Sequence, residues 1–310
     1  MMNFSLKLRC CKNSKFLTFF LFLFRLSLNK NFLNSKNNPK MHFLKPLLVT
    51  LFIFSLFVHV RADERPFPYT YTSDVLKKSM RDFEIHTNFR VGRENFYSRI
   101  ENRLEYEFGV TDKFQAAFYL NFQNSTSENT ANNSYDSKFE FKGISTEFIY
   151  QLSNKYTNSF GFAPYMELTL NTREVELETK LILDKKIGRS FTLALNLNAE
   201  YEWEYNPLPE KTEKELELDI LLGGSYQATN NFAFGFEARN HNPIPDGKGL
   251  EYSSLFLGPN VNYRSENWYA TLTWLHQLPA LKKSEDMPNS NIILDGQERN
   301  TVKLLLGFSL

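Results

Sequence analysis

From Phe83 to the carboxy terminus, apolar and polar residues alternate with period two through twelve successive segments. That spacing puts consecutive side chains on opposite faces of a β-strand, so the chain must cover one apolar face of an extensive sheet. The seventh segment is the clearest. Phe191, Leu193, Leu195, Leu197, Ala199, Tyr201, Trp203 and Tyr205 share one face, and Thr192, Asn196, Asn198, Glu200, Glu202 and Glu204 share the other. In the first segment Phe83, Ile85 and Phe89 oppose Glu84, His86, Asn88 and Arg90; in the second, Ile100, Leu104, Tyr106 and Phe108 oppose Arg99, Glu101, Arg103, Glu105 and Glu107. The eighth sets Leu216, Leu218, Ile220 and Leu222 against Glu215, Glu217 and Asp219, and the last sets Val302, Leu304, Leu306, Phe308 and Leu310 against Lys303, Gly307 and Ser309. A polytopic helical membrane protein is excluded by a mean hydropathy of -0.41 and 23% charged residues.

The connections discriminate between ways of covering that face. Short polar turns stand at 111–113, 153–158, 184–189, 229–231 and 265–267, and longer polar stretches stand between most of them, at 124–138, 206–213, 241–250 and 279–299. Short turns on one side and long loops on the other describe a transmembrane antiparallel up-and-down β-barrel of about twelve strands, with short turns and both termini in the periplasm. A soluble β-sandwich also alternates, but its polar face is not expected to be this charged, nor its apolar face to end in rings such as Trp203, Tyr205, Tyr263 and Trp268. The all-β barrel is therefore assigned to 81–310, with 63–80 as a periplasmic amino-terminal segment.

Residues 1–62 hold ten Lys and Arg and no acid, leaving 26 basic against 35 acidic residues beyond them. The negative remainder argues against nucleic acid as a partner. An apolar run at 47–60, preceded by Met41, His42 and Lys45 and followed by Arg61 and Ala62, reads as a secretory signal peptide at 41–62 cut after Ala62. At fourteen residues it is too short to span a bilayer as a helix, which needs about 20. Met41 is the expected start, and 1–40 a spurious upstream extension. The only cysteines, Cys10 and Cys11, lie in that stretch, so the exported part has neither disulfide nor thiolate site.

Two resemblances follow from quoted residues. The final segment, through Phe308 to Leu310, resembles the carboxy-terminal signal strand of Gram-negative outer-membrane proteins, although that pattern usually ends in Phe. It implies handling by the barrel-assembly machinery, with outer-membrane lipid and lipopolysaccharide as surroundings. The run from Phe96 through Arg103, Leu104, Glu105, Tyr106, Glu107, Phe108, Gly109, Val110, Thr111, Asp112 and Lys113 to Phe114 resembles the strand-turn-strand unit of barrels loosely labelled phenol-degradation-type or putative transporters. That resemblance implies passage of small solutes across the cell outer membrane.

The inward face carries the expected chemistry. Glu176, Glu178, Glu200, Glu202, Glu204, Glu215, Glu217 and Asp219 form an acidic wall toward the extracellular end, and Arg90, Arg99 and Arg103 form a basic wall. Such an arrangement sets a field across a lumen and concentrates cations at its mouth. The expected function is a passive channel with cation preference. The competing readings are a barrel plugged by pairing of these charges and serving a structural or adhesive role, or an outer-membrane lipid hydrolase. Some twelve-stranded barrels resemble phospholipases, but none of His86, His241 or His276 stands two residues before a serine, and no enzyme activity is expected. Carboxylate repulsion would be relieved by a divalent cation, yet no compact loop motif marks a calcium site, and no metal or cofactor is assigned.

Overall fold

The computed structural model describes residues 65–206, 211–285 and 287–310. The proposed start at Met41, the signal peptide and its cleavage point lie outside the described residues.

The alternating segments form twelve antiparallel strands. These are β1 (Arg81–Val91), β2 (Tyr97–Thr111), β3 (Phe114–Asn129), β4 (Ser134–Tyr150), β5 (Gly161–Leu170), β6 (Glu174–Ile187), β7 (Phe191–Asn206), β8 (Lys211–Gln227), β9 (Phe232–Pro245), β10 (Ser253–Arg264), β11 (Trp268–Lys282) and β12 (Asn300–Ser309). Each pairs with its neighbours in sequence, and β1 pairs with β12 from Asp82↔Ser309 to Val91↔Asn300, which closes the barrel and leaves no free edge.

The outward face is exposed and apolar. Phe118, Leu120, Ile144, Leu181, Leu197, Ile220, Phe234, Leu257 and Leu272 all point out of the sheet, a belt that water would not tolerate and lipid does. Rings cluster toward the short-turn end, where Phe114 stacks 6.0 Å from Phe148 and Tyr263 lies 5.3 Å from Trp268. At the opposite end Tyr201 and Trp203 are 4.5 Å apart. These are the two aromatic girdles of a barrel in the cell outer membrane.

Two features differ from the sequence expectation. The polar stretch 124–138 is mostly strand, because β3 and β4 continue their ladder to Asn129↔Ser134. Polarity marks where lipid ends, not where backbone pairing ends. Gly143 sits at φ +103°, and a Cβ there would lie 2.3 Å from the Leu170 carbonyl oxygen; beyond it β4 leaves β5 and runs on with β3 as a two-stranded ribbon. The same ladder extension shortens the loops expected at 206–213 and 241–250.

The second difference concerns the segment set apart as periplasmic. Of its described part, residues 65–80, the stretch 65–76 folds back into the barrel. Phe67, Thr70, Ser73, Val75 and Leu76 are buried inside the wall. The Tyr69 hydroxyl donates to Asn88 Oδ1 at 2.8 Å, the Tyr69 and Thr70 amides donate to Glu237 Oε1, the Tyr71 amide donates to Asn196 Oδ1 at 2.6 Å and the Leu76 amide donates to Gln115 Oε1 at 2.7 Å. A segment without strand partners must satisfy its backbone from side chains, and these lumen residues supply them. Val75 packs with Ile149, Ala163, Tyr165 and Ile182, an apolar core inside a face that is otherwise polar. Gly161 and Gly223 make the room: an added Cβ would lie 2.1 Å from Ser73 Oγ at the first and 3.0 Å from the Phe67 ring at the second.

Candidate functional site: a charged lumen closed at one end

The plug occupies the half of the lumen nearest the short turns, which in an outer-membrane barrel is the periplasmic half. Above it, Tyr69 and Tyr71 floor a cavity of about 340 Å³ whose walls include Arg90, Glu101, Arg103, Glu176, Glu178, Lys180, Glu200, Asp219, Arg239 and Lys303.

The register explains the acidic wall. Glu178 is paired with Glu200 and Glu200 with Glu217; Glu176 is paired with Glu202 and Glu202 with Glu215; Glu174 is paired with Glu204 and Glu204 with Glu213. Three rows of like charge therefore cross β6, β7 and β8, an arrangement that costs stability in an ordinary sheet. Only part of it is neutralised. Lys180 bridges Glu178 at 2.8 Å, Lys142 bridges Glu174 at 2.7 Å, and Arg239 and His241 approach Asp219 at 2.7 and 2.8 Å. Glu217 lies 3.6 Å from His241. Among the described residues, no lysine or arginine nitrogen lies within 4.0 Å of Glu176, Glu200, Glu202, Glu204 or Glu215.

The arginines behave differently. Arg90 contacts Glu298 at 2.7 Å and Glu101 at 3.5 Å, Arg99 contacts Glu101 at 3.0 Å, and Arg103 contacts Glu167 at 3.1 Å. Each of these three arginines is met by a carboxylate. Lys303 differs: among the described residues it has no carboxylate partner within 4.0 Å, and its ammonium sits 4.9 Å from the Tyr69 ring.

The sequence reading did not single out Lys142, Lys180, Arg239 or Glu298 as partners of those walls. Lys180 and Arg239 share the inward period of their strands with named acids and were legible in principle; Glu298 comes from the last long connection, whose inward fold has no periodic signal. Arg93 joins Arg90 on Glu298 at 2.6 Å.

At the plug's edge, Ser73 Oγ donates to Asp184 Oδ1 at 2.7 Å, and Lys155 of the β4–β5 turn contacts both Asp74 at 2.5 Å and Asp184 at 2.6 Å. Burial alone would lower the Lys155 pKa, but the two aspartates outweigh it and hold the amine above its ordinary range.

The fold is shared with a solved outer-membrane barrel. The crystal structure of the COG4313 outer membrane channel from Pseudomonas putida F1 is 11% identical, with 80% of this chain and 100% of that chain covered at a TM-score of 0.54. The NanC porin is 11% identical over 74% of this chain and 100% of its own, at a TM-score of 0.47. No curated protein sequence matches the chain. The profile of a family of unknown function, DUF6662, matches residues 59–310, and the chain belongs to that family.

Proposed function

We propose that the protein is a passive outer-membrane channel for small solutes, with an acidic mouth that favours cations and a periplasmic half gated by its own residues 65–76. The observation that carries the selectivity is the imbalance of pairing: Arg90, Arg99 and Arg103 are each neutralised, whereas Glu176, Glu200, Glu202 and Glu215 are not. Several unneutralised carboxylates in a confined lumen act together where single exposed charges would be screened. The resemblance to phenol-degradation-type and putative transporter barrels points the same way, to passage of small molecules. The plug sets the condition for conduction, since solute must displace or pass residues 65–76.

Planar-bilayer recording in a salt gradient tests this reading. The expected result is a cation-selective reversal potential that moves toward zero when Glu200, Glu202, Glu204, Glu215 and Glu217 are changed to Gln. An unchanged potential removes the cation preference. A permanently plugged structural barrel is the second reading, favoured by the burial of Phe67, Ser73 and Leu76; it predicts no conductance in the wild type or in any variant that loosens the plug. Lipid hydrolysis by the purified protein would favour an enzyme instead.

A further inference from the structure

A second acidic group lies below the mouth, buried between β2, β4 and the plug. Glu105 and Glu107 of β2 and Glu147 of β4 each offer one carboxylate oxygen, and the three atoms lie within 4.8 Å of one another. The three residues are 0%, 3% and 0% exposed. Their Oε1 atoms are all buried without a hydrogen-bond partner. A buried polar atom left without a partner is costly, and three converging carboxylates multiply that cost.

The neighbouring cations do not close the account. Arg65 of the plug reaches Glu84 at 2.7 Å but stands 3.6 Å from Glu105 and 3.9 Å from Glu107. The Tyr119 and Tyr71 hydroxyls both address the other oxygen of Glu147, Oε2. With Glu84 included, four carboxylates face one guanidinium and the His86 ring. A neighbouring trio, Glu84, His86 and Glu105, is less open: His86 Nε2 is 2.9 Å from both carboxylates, and Arg65 holds Glu84. Beside Glu107, though not reaching Glu105 or Glu147, a cavity of about 20 Å³ also lined by Arg65, Tyr71 and Gln115 offers the volume of roughly one water-sized occupant.

We propose that Glu105, Glu107 and Glu147 bind one hard divalent cation of the calcium class. Three carboxylates in irregular array, with room for a water ligand, suit an ion that takes six to eight oxygens in flexible geometry. One dication would use one oxygen of each carboxylate and offset the excess negative charge. This site is separate from the carboxylates of the mouth, where Glu174, Glu176 and Glu202 form another close trio.

The test uses the full chain refolded in detergent after chelation, with calcium as ligand and terbium as luminescent probe. Tyr119, bonded to Glu147, is placed to sensitise terbium. The expected result is one-equivalent binding displaced by calcium, weakened at least about tenfold in Glu105→Gln and in Glu147→Gln and retained in a Glu176→Gln/Glu202→Gln variant. Wild-type affinity in both buried-site variants overturns the proposal, as does loss of binding in the mouth variant alone. Failure of the wild type to retain calcium by elemental analysis after refolding in its presence also overturns it, and that readout stands whether or not the variants fold.

Discussion

Ser73 Oγ donates a 2.7 Å hydrogen bond to Asp184 Oδ1, and through it the amino-terminal segment is tied to the inner wall of the barrel. Lys155 completes the clasp by contacting Asp74 on the plug and Asp184 on the wall. Asp184 therefore serves two partners at once, and both are buried with it. Removing one member of a buried ion pair typically costs about 3–5 kcal/mol, because the other charge is left without compensation. Asp184→Ala is expected to unseat the plug, raising bilayer conductance and exposing residues 65–76 to protease while the barrel keeps its heat-modifiable gel mobility.

The clasp has a defined pH response. The Lys155 pKa is raised in the folded protein, so its contribution is fully present below the ordinary lysine value of about 10.4 and fades only as pH climbs through the higher folded value. From the lysine side, plug release is expected only on the strongly alkaline side of that value. Conductance recorded across an upward pH series checks this; plug release near pH 8, reversed by acid and absent in Lys155→Met, would contradict it.

The seat of Phe67 offers an independent handle. Any side chain at Gly223 brings its Cβ to 3.0 Å from the Phe67 ring, tighter than ordinary packing. Gly223→Val is expected to displace Phe67 and raise conductance, with a stability loss of about 1–3 kcal/mol for overpacking. Conductance matching the wild type would show that the ring does not hold the plug.

The two faces of β7 should respond oppositely to charge. Leu197 is outward and exposed, in register with Leu181 and Ile220, while Asn198 is in register with Lys180 and Asp219 on the inward face. Leu197→Arg is expected to cost about 2–4 kcal/mol in a lipid-refolding titration, and Asn198→Arg to change selectivity with a smaller stability effect. Equal costs would contradict the assignment of faces.

The barrel was legible because each strand meets two different solvents, and the alternation of Leu197 with Asn198 records both. The mouth acids were legible for the same reason, as inward members of that alternation. The plug was not. Residues 69–73, Tyr-Thr-Tyr-Thr-Ser, form no strand and bond instead to single side chains such as Asn196, Asp184 and Glu237 on distant strands. A trace of it was present in the inward period itself, where Ile149, Ala163, Ile182 and Gly223 interrupt an otherwise polar face. Those positions are apolar or vacant because the lumen there is filled by protein instead of water. Pairing of the arginines was equally hidden, since Glu298 reaches Arg90 from a connection with no period.

Gating by residues 65–76 is tested most directly by locking them in place. Residues 63–310 contain no cysteine, and a Cβ built on Gly161 lies 3.1 Å from the Ser73 Cβ, a few tenths of an ångström shorter than the roughly 3.5–4.5 Å of a disulfide, so bridging the pair requires the segment to move out slightly and the Asp184 carboxylate, 2.0 Å from that Cβ, to shift aside. In a Ser73→Cys/Gly161→Cys variant carried in a background with Cys10 and Cys11 absent, single-channel conductance is predicted to vanish when the pair is oxidised and to return on reduction. Equal conductance in the two redox states, with the bond confirmed by mass spectrometry, would contradict a gate formed by the amino-terminal segment.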